Sequence, residues 1–430
     1  MKRIQQTLKI FLALLLCIPF LSGCWDRLDP ENMAFIVAVG VDPGPKNDYL
    51  FTFAIAVPKP LGVSGPSSGG IGHKTIVTHT VEGSNIISAL LASQSFIARR
   101  LTLTHSKVFI LGEDLARKGV MPVLGEVVRS REFRRSFYVM TTRGKAETYI
   151  HNIIPTTETD ISLWFELELD PNNMGAVLPR ESRFHNFIID MEKPGTGAIS
   201  IQTAPRPDIR KGTASFPSGD ENSEAKQSPI ANQNAGKIRR TGDTPVEFFG
   251  SAVYKSDKLR GFLTGAESRI LNMLRGEYTR TTWDIPDPSN NKLNLTIDMK
   301  AQTKSEMKIK RKKDKVLVAF RVAMEGDLIS VQSQVDFTKP KNRKKLEQAV
   351  QKQLEEQSKK VLDKTLHKWK VDCFHINNRV KSTFSTLKEW DAYKWEDHVK
   401  DVEYKLEITF KMRGHGDQVG PAIGGNKIHD

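Results

Sequence analysis

A mixed α+β fold in more than one domain, with mixed sheets and packed helices, is what this sequence predicts, and three observations predict it. Up to about residue 150, segments of strand patterning alternate with segments of helical spacing. From Pro205 to Pro245 the chain is rich in Pro, Gly, Ser, Asn, Gln and Lys and poor in large apolar residues, so it cannot repay the entropy of ordering. Beyond that stretch the pattern changes to long alternating strands and one long amphipathic helix. A 430-residue chain is also longer than one hydrophobic core usually serves.

The chain opens on Lys2, Arg3 and Lys9, then an apolar run from Ile10 to Leu21, then Ser22-Gly23-Cys24. A basic start, about a dozen apolar residues and small residues before a break make a secretory signal. The run is shorter than the roughly 20 residues a bilayer span needs, and Trp25-Asp26-Arg27 ends it abruptly. The tetrad Leu21-Ser22-Gly23-Cys24 is similar to the lipobox at which bacterial enzymes diacylate the thiol and cleave before it. Gly23 is therefore the expected cleavage site and Cys24 the expected lipidation site, carrying a covalent diacylglycerol and an N-acyl lipid. Two acyl chains of a diacylglycerol give stable membrane anchoring where one gives only marginal binding.

The remaining elements follow in order. Residues 33–41, Met-Ala-Phe-Ile-Val-Ala-Val-Gly-Val, read as a fully buried strand, and 49–57 alternate well enough for an antiparallel neighbour. Residues 58–72 are a Pro/Gly/Ser loop. A strand over 75–81 follows, then a helix capped by Ser84 with Ile87, Leu90, Leu91, Ser95 and Ala98 at helical spacing. A strand over 106–111, a helix from Glu113 to about Arg131 interrupted near Pro122, and a strand over 136–142 complete an α/β region. Residues 157–187 keep a helical pattern that weakens around Pro171-Asn172-Asn173. After the linker, 247–254 and 258–263 flank Ser256-Asp257 as a hairpin, and 266–274 fit a short helix. Residues 292–310 and 316–331 read as two long strands meeting at Lys313-Asp314-Lys315. Residues 341–370 then place Leu346, Val350, Leu354, Val361, Leu362, Leu366 and Trp369 on one helical stripe. A closing strand over 402–413 turns Val402, Tyr404, Leu406, Ile408 and Phe410 inward.

The expected organisation is a removed signal at 1–23, an N-terminal α/β region at 24–204 divided near 150, a flexible linker at 205–245, a C-terminal α/β domain at 246–418 and a frayed tail at 419–430. The chain carries a net charge of +14 and stays basic once the three cations of the signal are removed. For an extracytoplasmic protein the matching counter-charge is an anionic membrane surface, a wall polymer or an acidic partner; nucleic acid lies on the wrong side of the membrane. Of three cysteines, Cys17 leaves with the signal and Cys24 is acylated, so Cys373 has no partner for an intrachain disulfide.

Four segments carry a resemblance. They are Ser22-Gly-Cys-Trp-Asp26 followed by the strand ending Val39-Gly-Val-Asp42; Arg129-Ser-Arg-Glu-Phe-Arg134 ahead of a strand; the run from Phe249 through Gly250, Gly261 and Gly265 to Ser268; and the long amphipathic helix leading to a closing strand and Gly414. In order and spacing they resemble the Ger(x)C family of spore germination lipoproteins, the C subunits of nutrient germinant receptors. Two features depart from the family pattern: Asp372-Cys-Phe-His375 stands where the family has Asp-x-Phe-Gly, and the linker is long. The resemblance implies a germination-receptor C-subunit type of fold in mixed α/β domains. It also implies a non-enzymatic subunit on the outer face of the inner spore membrane. Its partners there would be two integral-membrane receptor subunits, one A-type and one permease-like B-type, which turn nutrient binding into release from dormancy.

Other candidate sites are weaker. The glycines around Lys74-Thr75 lack the Gly-Lys adjacency of a phosphate loop and precede a strand where a helix should follow. The histidines, His73 and His79 included, show no zinc spacing, so no metal or other cofactor is expected beyond the lipid on Cys24. Glu166, Glu168 and Asp170 alternate like one face of a strand, which reads better as a solvated face than as an acid/base pair. Lys304, Lys308, Lys310 and Lys312 share one strand parity, either a basic surface for a membrane or partner or a solvated edge that discourages sheet aggregation. Phe249, Gly250, Gly261 and Gly265 read as turn and core residues more readily than as a docking surface. The competing classes are a substrate-binding lipoprotein of a transporter, which needs two similar lobes that these dissimilar halves do not suggest, and a wall-polymer-binding or wall-modifying protein, which no motif supports.

Overall fold

The computed structural model describes residues 3–7, 9, 11, 29–57, 76–155, 158, 160–170, 177–180, 182–206, 232–238, 240, 244–312 and 315–414. Gly23, Cys24, the 58–72 loop, the Lys313-Asp314 part of the expected turn, most of the linker and the tail lie outside the described residues.

β1 (Met33–Pro43), β2 (Tyr49–Ala56) and β3 (Ile76–Gly83) form an antiparallel meander. α1 (Ile86–Ser93) returns the chain to β4 (Arg100–Thr102), which lies parallel to the start of β1. β5 (Val108–Gly112), α2 (Glu113–Lys118), α3 (Met121–Arg129) and β6 (Tyr138–Thr142) follow, then α4 (Ala146–His151), α5 (Ile161–Glu168), α6 (Phe184–Glu192) and β7 (Ile199–Pro205). β1, β5, β6 and β7 run parallel, so all four begin at one edge of the sheet. β8 (Val246–Lys255) pairs back on β7, and β9 (Lys258–Leu263) on β8, giving the order β3-β2-β1-β5-β6-β7-β8-β9 with β4 beside β1. The two strands past the expected linker thus extend the first sheet.

Helices cover both faces, which is why the parallel strands are buried almost throughout. α1, α2, α3 and α6 pack Ile86, Leu115, Leu124 and Phe187 against Val39, Phe53 and Phe109. α4 and α5 pack Tyr149, Ile150, Trp164 and Phe165 against Ala38, Ile110 and Phe248 on the other face.

α7 (Gly265–Arg275) opens on a capping box in which Thr264 accepts from the Glu267 amide at 3.2 Å and Glu267 accepts from the Thr264 amide at 2.9 Å. It stops at Gly276, whose φ of 72° suits glycine. β10 (Arg280–Asp287), β11 (Asn290–Ala301), β12 (Glu306–Lys312), β13 (Lys315–Val331) and, after α8 (Pro340–Leu362), β14 (Glu403–Gly414) build the second sheet. β11 and β12 share one side of β13, and β14 lies parallel on the other. α8 buries Leu346, Val350, Leu354, Val361 and Leu362 against this sheet, then continues as a π-helical turn, Asp363–Trp369, with Leu366 also buried.

Four sequence readings change. α1 is capped by Asn85, whose side chain accepts from the Ser88 amide at 2.8 Å, and not by Ser84. It buries Ile86, Ala89 and Ser93, leaving Ile87 and Leu91 54% and 76% exposed, because Ile86, Ile87, Leu90 and Leu91 form a wide apolar arc and spacing alone could not choose its buried edge. Glu166 and Glu168 belong to α5, capped by Asp160, and not to a strand. The expected 292–310 strand breaks at residues 302–305 and resumes as β12, so Lys304 sits in the break beside Gly276 and off the face of Lys308, Lys310 and Lys312.

Candidate functional site

The first candidate lies at the edge where the parallel strands begin. A short turn, Pro30–Asn32, leads into β1, and β4 places Arg100 opposite Met33. The connections entering β5 and β6 close a cleft of about 440 Å³ lined by His105, Lys107, Arg134, Tyr138, Glu166 and Arg183, among others. Lys107 pairs with Glu166 of α5. The Arg183 guanidinium lies 4.5 Å from the centre of the Tyr138 ring and donates to the Tyr138 hydroxyl at 3.0 Å and the Ser136 carbonyl at 2.6 Å. Burial first, and then the charges of Arg134 and Lys107, hold the His105 pKa below the usual histidine value. This geometry offers cations and hydroxyls to an anionic or mixed-charge group.

The second candidate is the junction between the two sheets. Asp372 is buried and accepts from the Phe374 and Asn377 amides at 2.9 and 2.7 Å. Its own amide donates to the Gly195 carbonyl and its carbonyl accepts from the Gly197 amide, both at 2.9 Å, so it ties the far domain to the segment leading into β7. Gly197 is required there, since an added Cβ would stand 2.4 Å from Val371. His375 has φ of 58°, the left-handed conformation that favours glycine, and it stands where the family pattern has glycine. Its Nε2 lies 2.9 Å from the Asp190 carboxylate on α6, and Arg275 of α7 stands 3.1 Å away from the same nitrogen. Burial pushes the Asp190 carboxyl up, but the hydrogen bond and charge of His375, with Arg275 and Lys193, outweigh it and hold the group below the usual carboxylate range. The buried Cys373 thiol is pushed up, chiefly by desolvation.

Residues singled out by their motifs serve packing. An added Cβ at Gly40 would stand 2.6 Å from Ile150, so the glycine admits α4 to the sheet. Asp42 accepts from the Ala146 and Glu147 amides at 2.9 and 2.8 Å and thereby caps α4. An added Cβ would stand 2.7 Å from the Trp369 ring at Gly261 and would strike the Phe249 ring at Gly265, which explains the long Phe249–Ser268 motif by close packing; of its glycines only Gly250, at φ of 91°, is needed for its backbone angle. Sequence reasoning missed the partners of Asp42 and His375 because each lies more than 100 residues away.

Lys308, Lys310 and Lys312 project from the solvent face of an edge strand. Glu306 stands 3.9 Å from Lys308, and Glu403 pairs with Lys315 at the same end of the sheet. Glu168 is apart from Glu166, and its carboxyl is raised by burial. His79 bonds Ser93 at 2.9 Å, and among the described residues no three His, Cys, Asp or Glu side chains gather as a metal site. No helix among the described residues is long and apolar enough to cross a membrane.

Comparison with known proteins matches both halves. A family model described as the spore germination protein N-terminal domain matches residues 26–204, and one described as spore germination B3/GerAC like, C-terminal, matches 249–416. The putative spore germination protein YfkR of Bacillus subtilis (strain 168) is 24% identical over 94% of this chain and 96% of its own. Spore germination protein B3 of the same organism is 25% identical over 96% and 99%. Spore germination protein KC, also from that organism, is 31% identical over 33% of this chain and 35% of its own. The crystal structure of the GerBC protein covers 87% of this chain and 96% of that one with a TM-score of 0.50 at 18% identity, a likeness of fold. With its two halves matched in order and relatives aligned nearly end to end, the chain belongs to the Ger(x)C family of germinant receptor proteins and has its role in spore germination.

Proposed function

We propose that this chain is the lipid-anchored, non-catalytic subunit of a spore nutrient germinant receptor, assembling with an A-type and a permease-like B-type membrane subunit on the outer face of the inner spore membrane. The observation that carries the anchor is Leu21-Ser22-Gly23-Cys24, placed five residues before Asp29, where the described fold begins. Support for a non-catalytic role is that the family-bearing residues Gly40, Asp42, Gly261 and Gly265 are committed to capping and packing. Lys308, Lys310 and Lys312 are a second candidate surface for a partner; receptor assembly that survives their reversal to Glu removes that role.

Spores carrying Cys24→Ala test the proposal. Nutrient-triggered germination and membrane retention of the chain should fall together, with the abundance of the co-encoded membrane subunits scored alongside. Normal germination with every nutrient, accompanied by failed uptake of a solute, would replace the receptor subunit by a transporter's binding protein.

A further inference from the structure

We infer that the edge of the first sheet where β1, β4, β5 and β6 begin is a docking surface for an anionic bilayer, and that it sets the orientation of the anchored chain. The inference rests on the lipid-anchor reading and adds to it which face of the protein meets the lipid.

The tether is short. Four residues lie between Cys24 and Asp29, and the five steps from one to the other, at about 3.3–3.6 Å each when extended, span at most ~18 Å. The edge at which β1 starts is therefore the part of the fold held nearest the acyl chains.

That edge is basic in a particular way. Arg99 and Arg100 precede and open β4, while Arg131, Arg134 and Arg135 stand in the connection to β6, and all five are exposed. The two groups are neighbours, since Glu132 reaches back to Thr102 at 3.5 Å. Asp29, Glu31, Glu132 and, in the cleft lining, Asp170 are the acidic groups beside them, and Glu166 is taken by Lys107. Among the described residues Arg99, Arg100, Arg131 and Arg134 are in no ion pair. On the second sheet Arg280 pairs with Asp298, Arg321 with Glu407, Arg413 with Glu325 and Lys315 with Glu403, while Lys310 and Lys312 stand exposed and in no ion pair among the described residues, far from the tethered edge. The exposed arginines gathered on the tethered edge, in no ion pair among the described residues, complement an anionic surface. Each basic residue held close to such a leaflet is worth roughly fivefold in partitioning.

Apolar residues accompany them. Leu91 and Phe96, on the path from α1 into Arg99, are 76% and 57% exposed. Side chains of this kind beside arginines suit the headgroup boundary. On the same edge, the cleft bearing Arg134, Arg183, Thr104 and Ser136, with Glu166 and Asp170 also in its lining, brings further cations and hydroxyls to the surface.

The experiment uses the lipidated chain in vesicles, with an environment-sensitive fluorophore on Phe96→Cys or, as the far reference, Ile329→Cys, which is half exposed on β13. Cys373 is buried and stays unlabelled. In vesicles containing phosphatidylglycerol the probe at 96 should shift blue and be quenched by nitroxide lipids, while the probe at 329 should not. Reversal of Arg99, Arg100, Arg131 and Arg134 to Glu should abolish the difference with the anchor intact, replacement by Lys should keep it, and reversal of Lys308, Lys310 and Lys312 should leave it alone. Equal quenching at both positions, or loss on reversal of those lysines instead, overturns the inference. A mature chain with Cys24→Ser reads the surface without the anchor: it should partition onto phosphatidylglycerol vesicles at least tenfold better than its Arg-to-Glu variant, and not onto phosphatidylcholine. Displacement by millimolar inorganic phosphate would make the site a small-anion pocket and overturn the bilayer as its occupant. Absence of acyl mass on Cys24 would sink the anchor reading while leaving this last comparison to decide the docking surface.

Discussion

His375 is the residue at which strain and function-bearing geometry coincide. A non-glycine side chain in the left-handed region costs about 1–2 kcal/mol, and here it comes with a hydrogen bond to Asp190 beside Arg275. His375→Ala keeps the strain and removes the 2.9 Å hydrogen bond of a buried carboxylate that Lys193 approaches only at 3.4 Å, so urea unfolding should show a loss of about 1–3 kcal/mol. Asp190 also predicts a pH dependence. Its folded pKa lies below the unfolded value near 3.9. The stability it contributes is therefore complete above that value and disappears as pH falls through the lower folded pKa. Asp190→Asn should flatten the stability curve only in that acid window, and an unchanged curve there would separate Asp190 from acid unfolding. Gly112 offers a sharper steric test. An added Cβ would stand 1.9 Å from an Asp42 oxygen, displacing the cap of α4, so Gly112→Ala should cost about 1–3 kcal/mol in the same assay.

At the scale of elements, legibility followed burial. β1 was plain in the sequence because both of its faces are covered, and α8 because its apolar stripe is single. α1 is legible as a helix but its buried face is not, since Ile86, Ile87, Leu90 and Leu91 form an apolar arc about 140° wide and the buried face takes only its Ile86 edge together with Ala89 and Ser93. Ile86→Ala should therefore cost about 2–5 kcal/mol, whereas Ile87→Ser with Leu91→Ser should change the thermal midpoint little. The reverse ranking would restore the face that spacing suggests. The acidic alternation of α5 imitated a strand because helix residues near a sheet edge are free to be charged on more than one side. Of the candidate sites, the basic strand was legible as parity and the glycine motifs as patterns. The cleft at the sheet edge and the Asp190–His375 junction were not, because they assemble from connections far apart in sequence. Gly261 shows how one element locks another: the Trp369 ring of the π turn covers it, so Gly261→Leu should lever that turn off β9 and lower stability by about 1–3 kcal/mol.

Among the described residues, a nine-stranded mixed sheet and a five-stranded sheet share a core that runs from Ile199 and Val253 into α7, α8 and the second sheet. The family models divide the chain between residues 204 and 249, yet β8 lies hydrogen-bonded along β7 across that division. The boundary between the two family models therefore falls inside one hydrogen-bonded sheet. A gene severed in the linker would yield one fragment with an open strand edge prone to aggregate and another burdened with a hairpin that has lost its sheet. Nicked after folding instead, at a protease sequence inserted between 207 and 231, the pieces should elute as one species and separate only in denaturant, a protein cut in two by its sequence and held whole by a seam of backbone hydrogen bonds.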